Sequence, residues 1–320
     1  MNTGLLVPPS HAEAALAVPT RGPVELANVF LGLLSPEQRK LAVFPMDSPA
    51  RIDWHFIPRD RPGLALKDLD EAGKAGIWDL LGTCLSPIGI EQVKGVMRLE
   101  QVLLNIEKSA TRDPGKYQIC IWGEPNANGL WGWRFEGHHC SLNVDLDGNK
   151  ITGLTPAFFG ANPAKVLEGE WVNFRNLPLE EDLGYEFLSA LGKEQREKAH
   201  LPGEPEEVLG AQKASLEPLL DKGLPVRELD QGRKELFLKL LEAYTDWFRA
   251  DLVVGFNRTP EEILKDPEMV FQWQGGMEKG AAWSYRISGH SVDIQFNNRQ
   301  NNRNHVHTLV CFPGLDFGGR

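Results

Sequence analysis

Three segments of this chain occur twice, in one order and at nearly constant offset. "LSPEQRKLA" (34–42) returns as "LGKEQREKA" (191–199), and "GLALKDLD" (63–70) as "GLPVRELD" (223–230). "WGWRFEGHHCSL" (131–142) returns as "WSYRISGHSVDI" (283–294), sharing W-x-[aromatic]-R-[apolar]-x-G-H. Coincidence in helical or strand-like sequence is the competing account, but it leaves the shared order unexplained. A repeat this long is a fold-sized unit, not a solenoid turn. The division that follows is an N-terminal arm over 1–23, repeat one over 24–160, a linker over 161–179 and repeat two over 180–320.

Each half reads as helices followed by strands. Helical signals run from Pro23 to Leu34, again after Ser35-Pro36, and from Leu66 to Ser109 with a break at Ser86-Pro87. Alternating or apolar runs follow at 117–122, 130–135, 139–146 and 149–154, with "DLDGNK" as a hairpin turn. Residues 156–178 are rich in Pro, Gly and Asn and read as connecting chain. Helices return at 179–199 and 232–250, and strands at 269–274, 282–288, 290–297 and 305–311. The predicted class is α+β: antiparallel sheets with flanking helices, two similar halves related by a pseudo-twofold axis.

A net charge of −10 argues against a nucleic-acid or anionic-membrane partner. No apolar run reaches the roughly 18 residues that span a bilayer. The first twenty residues lack a basic start and a continuous apolar stretch, so they read as a loose arm rather than a signal peptide. The four cysteines are scattered, with no CxxC, as in a cytoplasmic protein with reduced thiols. Nothing in the sequence sets the oligomeric state.

The chain has eight histidines. His305 and His307 stand two apart in a strand-like run, so both face one way, about 7 Å apart at the backbone, with Leu309 and Cys311. Two imidazoles so placed can share one ion. Strand parity puts His138 with Cys140, Leu142 and Val144, and His290 with Val292, Ile294 and Phe296. His139 faces the opposite way, with Ser141 and Asn143. The phase change at Gly137 and Gly289 implies a bulge or tight hairpin. These positions predict one transition metal ion (iron, copper or zinc) held by His305 and His307, completed by His290 or His138. Alternatively, His138 and His290 are hydrogen-bonded core histidines. Glu136, Asp293 and Asp316 are candidate carboxylate ligands or supports. His139 and Glu136 are candidate bases, and Arg134 and Arg286 candidate anchors for an anionic substrate, with an ion pair inside the protein as the other account. Trp122/Trp273 and Trp131/Trp283 read as core. His11, His55 and His200 lie in polar loop sequence and are expected to stand apart. No GxSxG, Walker, GxGxxG or HExxH motif is present.

The stretches "WGWRFEGHHCSLN", "TPAFFGANPAKV" and "NHVHT…DFG" resemble the bacterial family called domain of unknown function 3500 over most of the chain. The resemblance implies that Gly137-His138-His139 and Asn304-His305-x-His307 form a functional signature. It also implies an Arg-Asp pair before the final Asp-Phe-Gly, where this chain has Cys311 and Phe312. The family supplies no reaction. The expected function is therefore a metal-dependent enzyme acting on a small molecule or peptide, leaning to oxidoreductase or oxygen chemistry. Two rivals are a metal-free acid–base enzyme or hydrolase, and a non-catalytic ligand- or metal-binding protein.

Overall fold

The computed structural model describes residues 21–109 and 111–319; the expected arm and His11 fall outside them. Helix α1 spans Pro23–Leu33 and α2 spans Pro36–Ala42. Ser35 starts α2 by accepting the Gln38 N–H while the Gln38 side chain accepts the Ser35 N–H, a reciprocal cap. Strands β1 (Val43–Phe44) and β2 (Leu64–Ala65) precede α3 (Glu71–Leu81), capped by Asp70, and α4 (Pro87–Glu107), capped by Ser86. The break expected at Ser86-Pro87 is therefore present. The helical run starts later than expected, because residues 64–68 first form a short strand and a 3-10 turn.

Strands β3 (Gln118–Trp122), β4 (Leu130–Gly137), β5 (Cys140–Asp147), β6 (Lys150–Gly153) and β7 (Ala157–Ala161) follow. Then come α5 (Pro178–Ala190), α6 (Lys193–Ala199), β8 (Leu224–Pro225), α7 (Gln231–Thr245), α8 (Ala250–Gly255) and α9 (Pro260–Ile263). The chain closes with β9 (Val270–Gly275), β10 (Trp283–Ser288), β11 (Asp293–Gln300) and β12 (His305–Cys311). All twelve strands join one mixed sheet, whose main path runs β1-β3-β4-β5-β7-β12-β11-β10-β9-β8. Among the strand pairings of the described residues, only β1–β3 is parallel. Strand β7 corrects the reading of 156–178 as connecting chain. Its residues are all buried, so it shows no polar alternation to reveal it, and its prolines lie at its borders.

The two faces of the sheet differ in chemistry. Trp131, Trp133, Phe135, Leu142, Val144, Trp283, Tyr285, Ile287, Ile294 and Phe296 pack with the helices in the main core. The registers place Gln118, Arg134, Glu136, Ser141, Asn143 and Asp145 on the other face, and with them Gln272, Ser284, Arg286, Asp293, Gln295 and Asn297. Most of these polar side chains are buried, because two segments without α-helix or strand lie over them: residues 45–62, with a 3-10 turn at Pro49–Arg51, and residues 201–222.

Each segment is fastened by side chains of the sheet. Over the first half, Glu136 accepts from Arg61 Nε (2.7 Å) and the His55 N–H (3.0 Å), Arg134 donates to the Ala50 and Arg51 carbonyls, and Arg51 pairs with Asp145. Over the second half, Gln295 accepts the Leu209 N–H (2.7 Å), Ser288 accepts the Leu219 N–H (2.8 Å), and Arg286 reaches the Glu217 carbonyl (3.2 Å). Buried polar groups must find such partners or lose stability. A second small core seals the junction, with Trp54 and Phe56 from one segment and Val208 and Leu216 from the other closing on Phe158, Leu309 and Phe317.

Candidate metal centre

Three histidines meet on the polar face, where β5, β7 and β12 adjoin. His138 and His139 form the two-residue turn between β4 and β5, since Gly137 pairs with Cys140. His139 adopts a positive φ of 62°. Its N–H donates to the Phe56 carbonyl (3.0 Å), and its own carbonyl accepts from the Gly160 N–H (2.9 Å). On β12, His305 and His307 project from the same face by strand alternation.

His139 Nε2 lies 2.9 Å from His305 Nε2 and 3.2 Å from His307 Nε2. All three residues are buried, and one ligand atom from each falls within 4.8 Å of the others. A tetrahedral ion with bonds of about 2.0–2.1 Å sets its ligand nitrogens about 3.3 Å apart. The group could thus hold a metal ion. It is a closely spaced all-nitrogen set suited to zinc, copper, iron or nickel.

Glu207 fixes the third imidazole. Its Oε1 lies 2.7 Å from His307 Nδ1 and also accepts from Asn297 Nδ2 (2.7 Å), while Oε2 accepts from Gln300 Nε2 (2.9 Å). Burial acts to raise the Glu207 carboxyl, but the hydrogen bond and charge of His307, with the Val208 N–H and Asn297, outweigh it and hold it at about 2. An ionised carboxylate only accepts, so in the neutral, ligating form of His307 the proton sits on Nδ1 and the Nε2 lone pair faces His139. Burial, then the neighbouring imidazoles, hold His139 well below the usual histidine range; burial and His307 bring His305 to about 3. These two are therefore neutral at neutral pH, the form that ligates.

Packing shapes the centre as much as charge. Gly160 pairs with His307 across β7 and β12. A Cβ at Gly160 would lie 2.9 Å from His139 Cδ2 and 3.1 Å from His307 Cδ2, so only glycine lets both rings approach. The Phe56 ring stands 4.9 Å from His307 and stacks on Phe158 at 4.2 Å, giving one apolar wall.

Two of the expected ligands, His138 and His290, lie outside the three-histidine group. His138 is adjacent to the cluster but turned away from it: its Nδ1 lies 2.6 Å from Glu100 Oε2 on α4, and its ring stacks on His139 at 3.8 Å. His290 is elsewhere. Four residues, 289–292, connect β10 to β11 where two suffice between β4 and β5, so the His290 side chain stands 57% exposed beside Asp266 and Glu268. His139 is the histidine that joins His305 and His307 in the group.

Glu136 and Arg134 are engaged with the 45–62 segment, and Glu136 also accepts from Ser141 Oγ (3.2 Å). Arg286 is gripped by Asp293 (2.5 Å), and Asp316 accepts the Phe312 N–H (3.0 Å). Asp293 and Asp316 therefore stand outside the histidine group. His55 accepts neighbouring N–H groups at Nδ1, and His200 bonds the Gly275 carbonyl. Glu207, Gly160 and Phe56 were not singled out in the sequence. Glu207 is one of three acids in "GEPEEV", and nothing local separates it from Glu204 or Glu206. All four cysteines are buried and free. No helix among the described residues is long and apolar enough to cross a membrane.

A family model described as "Protein of unknown function (DUF3500)" matches residues 17–319, and the chain belongs to that family. No curated protein and no solved structure matches it.

Proposed function

We propose that this member of the DUF3500 family is a metalloenzyme whose single transition metal is held by His139, His305 and His307. The observation that carries the reading is the convergence of three buried Nε2 atoms, with Glu207 setting the tautomer of one of them. A bound ion with an open position supplies Lewis acidity or redox chemistry to a small molecule or peptide. The residues around it orient and shield. Phe56 and Phe158 exclude water on one side, and Glu207 fixes His307. An all-nitrogen first set with no carboxylate ligand leans the reading to oxidoreductase or oxygen chemistry.

A hydrolytic or metal-free acid–base reading has one observation in its favour. The Glu100–His138 pair, 2.6 Å apart and stacked on His139, has the arrangement of an oriented general base. Elemental analysis of the untagged protein beside His305→Ala separates the readings. About one transition metal per chain, lost in the variant, supports the metalloenzyme. Protein that takes up no metal after reconstitution removes it and leaves the acid–base pair.

We also propose that the halves descend from one ancestral unit. Supporting this, Leu64 pairs with Ile119 as Leu224 pairs with Phe271, and each short strand leads through a 3-10 turn into a helix capped by Asp70 or Asp230. Within each β-hairpin an acid and a serine also bond, Glu136 with Ser141 and Asp293 with Ser288, the two having exchanged strands.

A further inference from the structure

Resting on the metal-centre reading, we propose that residues 201–222 are a lid over the histidine centre, latched by Glu207, and that the cleft beneath them admits a small hydrogen-bonding substrate. The centre is closed: His139, His305 and His307 are 4%, 8% and 4% exposed. A substrate reaches it only if a covering segment moves.

The two covering segments are fastened differently. The 45–62 segment is held by buried ion pairs. Arg61 and Glu136 are 3% and 2% exposed in their side chains, and the Arg51–Asp145 pair is nearly as enclosed. Breaking such pairs strands a buried charge. Beside Val208 and Leu216 in the small core and Arg286 on the Glu217 carbonyl, the 201–222 segment is held by single hydrogen bonds to uncharged side chains: Glu206 N–H to Ser284, Leu209 N–H to Gln295, Leu219 N–H to Ser288, and Gln272 to the Leu219 and Lys222 carbonyls. Each contributes only about 1 kcal/mol net, because water replaces it. Segments so attached open locally before the protein unfolds.

A cleft of about 360 Å³ already separates this segment from the sheet. Its sheet wall includes Gln272, Gln274, Ser284, Arg286 and Gln295, and Glu207 stands on its rim. That volume is at the small end of ligand pockets, and side-chain amides and a hydroxyl offer both donors and acceptors. Glu207 touches the cleft and His307 together, with its side chain 32% exposed. Displacement of the lid therefore withdraws the carboxylate that orients His307 and opens the centre in one movement.

Two measurements test this. Amide hydrogen exchange on the full chain, without added metal, should show the Leu209 and Leu219 amides exchanging at least about tenfold faster than the His139 amide, which donates to Phe56 of the other segment. Gln295→Ala should raise exchange at Leu209 further and leave His139 unchanged. Zinc uptake by the metal-free protein, followed with a zinc-sensitive dye, should be about tenfold faster in Gln295→Ala at unchanged final occupancy. Exchange of all three amides at one common rate overturns the lid, as does uptake unaffected by Gln295→Ala. A chain that takes up none of zinc, copper, iron and nickel refutes the metal reading instead, and the exchange experiment still decides the lid.

Discussion

His307 and Glu207 lie 100 positions apart and are joined by a 2.7 Å contact that crosses from the centre of the sheet to its covering segment. The contact leaves one imidazole nitrogen free to face its neighbours. Glu207→Gln keeps an acceptor at that place and removes the charge. Metal affinity should fall about 10- to 100-fold, the usual cost of losing such a support. Stability should change by about 1 kcal/mol, because Asn297 keeps its acceptor and the Gln300 amide can turn its oxygen toward the new NH2. Competition against a chelator of known affinity measures the first, and urea unfolding the second. Unchanged affinity would show that Glu207 does not orient His307.

Gly160 tests the packing side of the same centre. In Gly160→Ala the new methyl meets His139 and His307 at about 3 Å, and neither ring can retreat without breaking the cluster. The variant should lose about 1–3 kcal/mol and most of its metal. Gly169→Ala is no control, since its φ of 86° strains any side chain. Gly192→Ala is one, with open space around it and ordinary backbone.

His139 and His290 separate the two ligand sets. His139→Ala should abolish metal binding, and His290→Ala should leave metal content unchanged, since its imidazole stands in solvent beside Asp266. The reverse result in elemental analysis would restore the set expected from the matched Gly-His pairs.

The divergence between sequence and structure at these histidines has a physical cause. Strand parity alone assigned His138, His139, His305 and His307 to faces, and His139 does share its face with Ser141 and Asn143. Parity carries no information about loop length, so Gly137-His138 and Gly289-His290 look equivalent although one pair leads into a two-residue turn and the other opens a four-residue loop. The centre also depends on residues whose role is set at long range. Phe158 and Gly160 lie in a strand buried on both faces, which leaves no alternation to read. Glu207 lies in a segment with no period at all. The longer helices were legible because their signals are local, Ser35, Asp70, Ser86 and Asp230 each accepting from an N–H three residues ahead, whereas the short α8 and α9 are too brief to show a period and went unread.

Glu180 gives the fold a pH dependence independent of the metal. The residue is 1% exposed; Oε1 accepts from Trp247 Nε1 (2.9 Å) and Oε2 has no partner. Burial, opposed by its hydrogen bonds, raises its pKa from 4.5 to about 7. Between those values the native chain keeps a proton that the unfolded chain has released, so stability falls as pH rises through that window. Asp316, raised by burial to about 6, acts with the same sign. His305 acts with the opposite sign: between about 3 and 6.5 the unfolded chain binds a proton that the native one refuses, so stability rises with pH there. Replacing Glu180 isolates one contribution. Glu180→Gln retains the acceptor for Trp247 and carries no charge. It should therefore gain on the parent by about 2–3 kcal/mol at pH 8 and by under about 1 kcal/mol at pH 5. Urea unfolding of both proteins at the two pH values measures it. An equal difference at pH 5 and pH 8 would mean that Glu180 holds no proton that the unfolded chain has released.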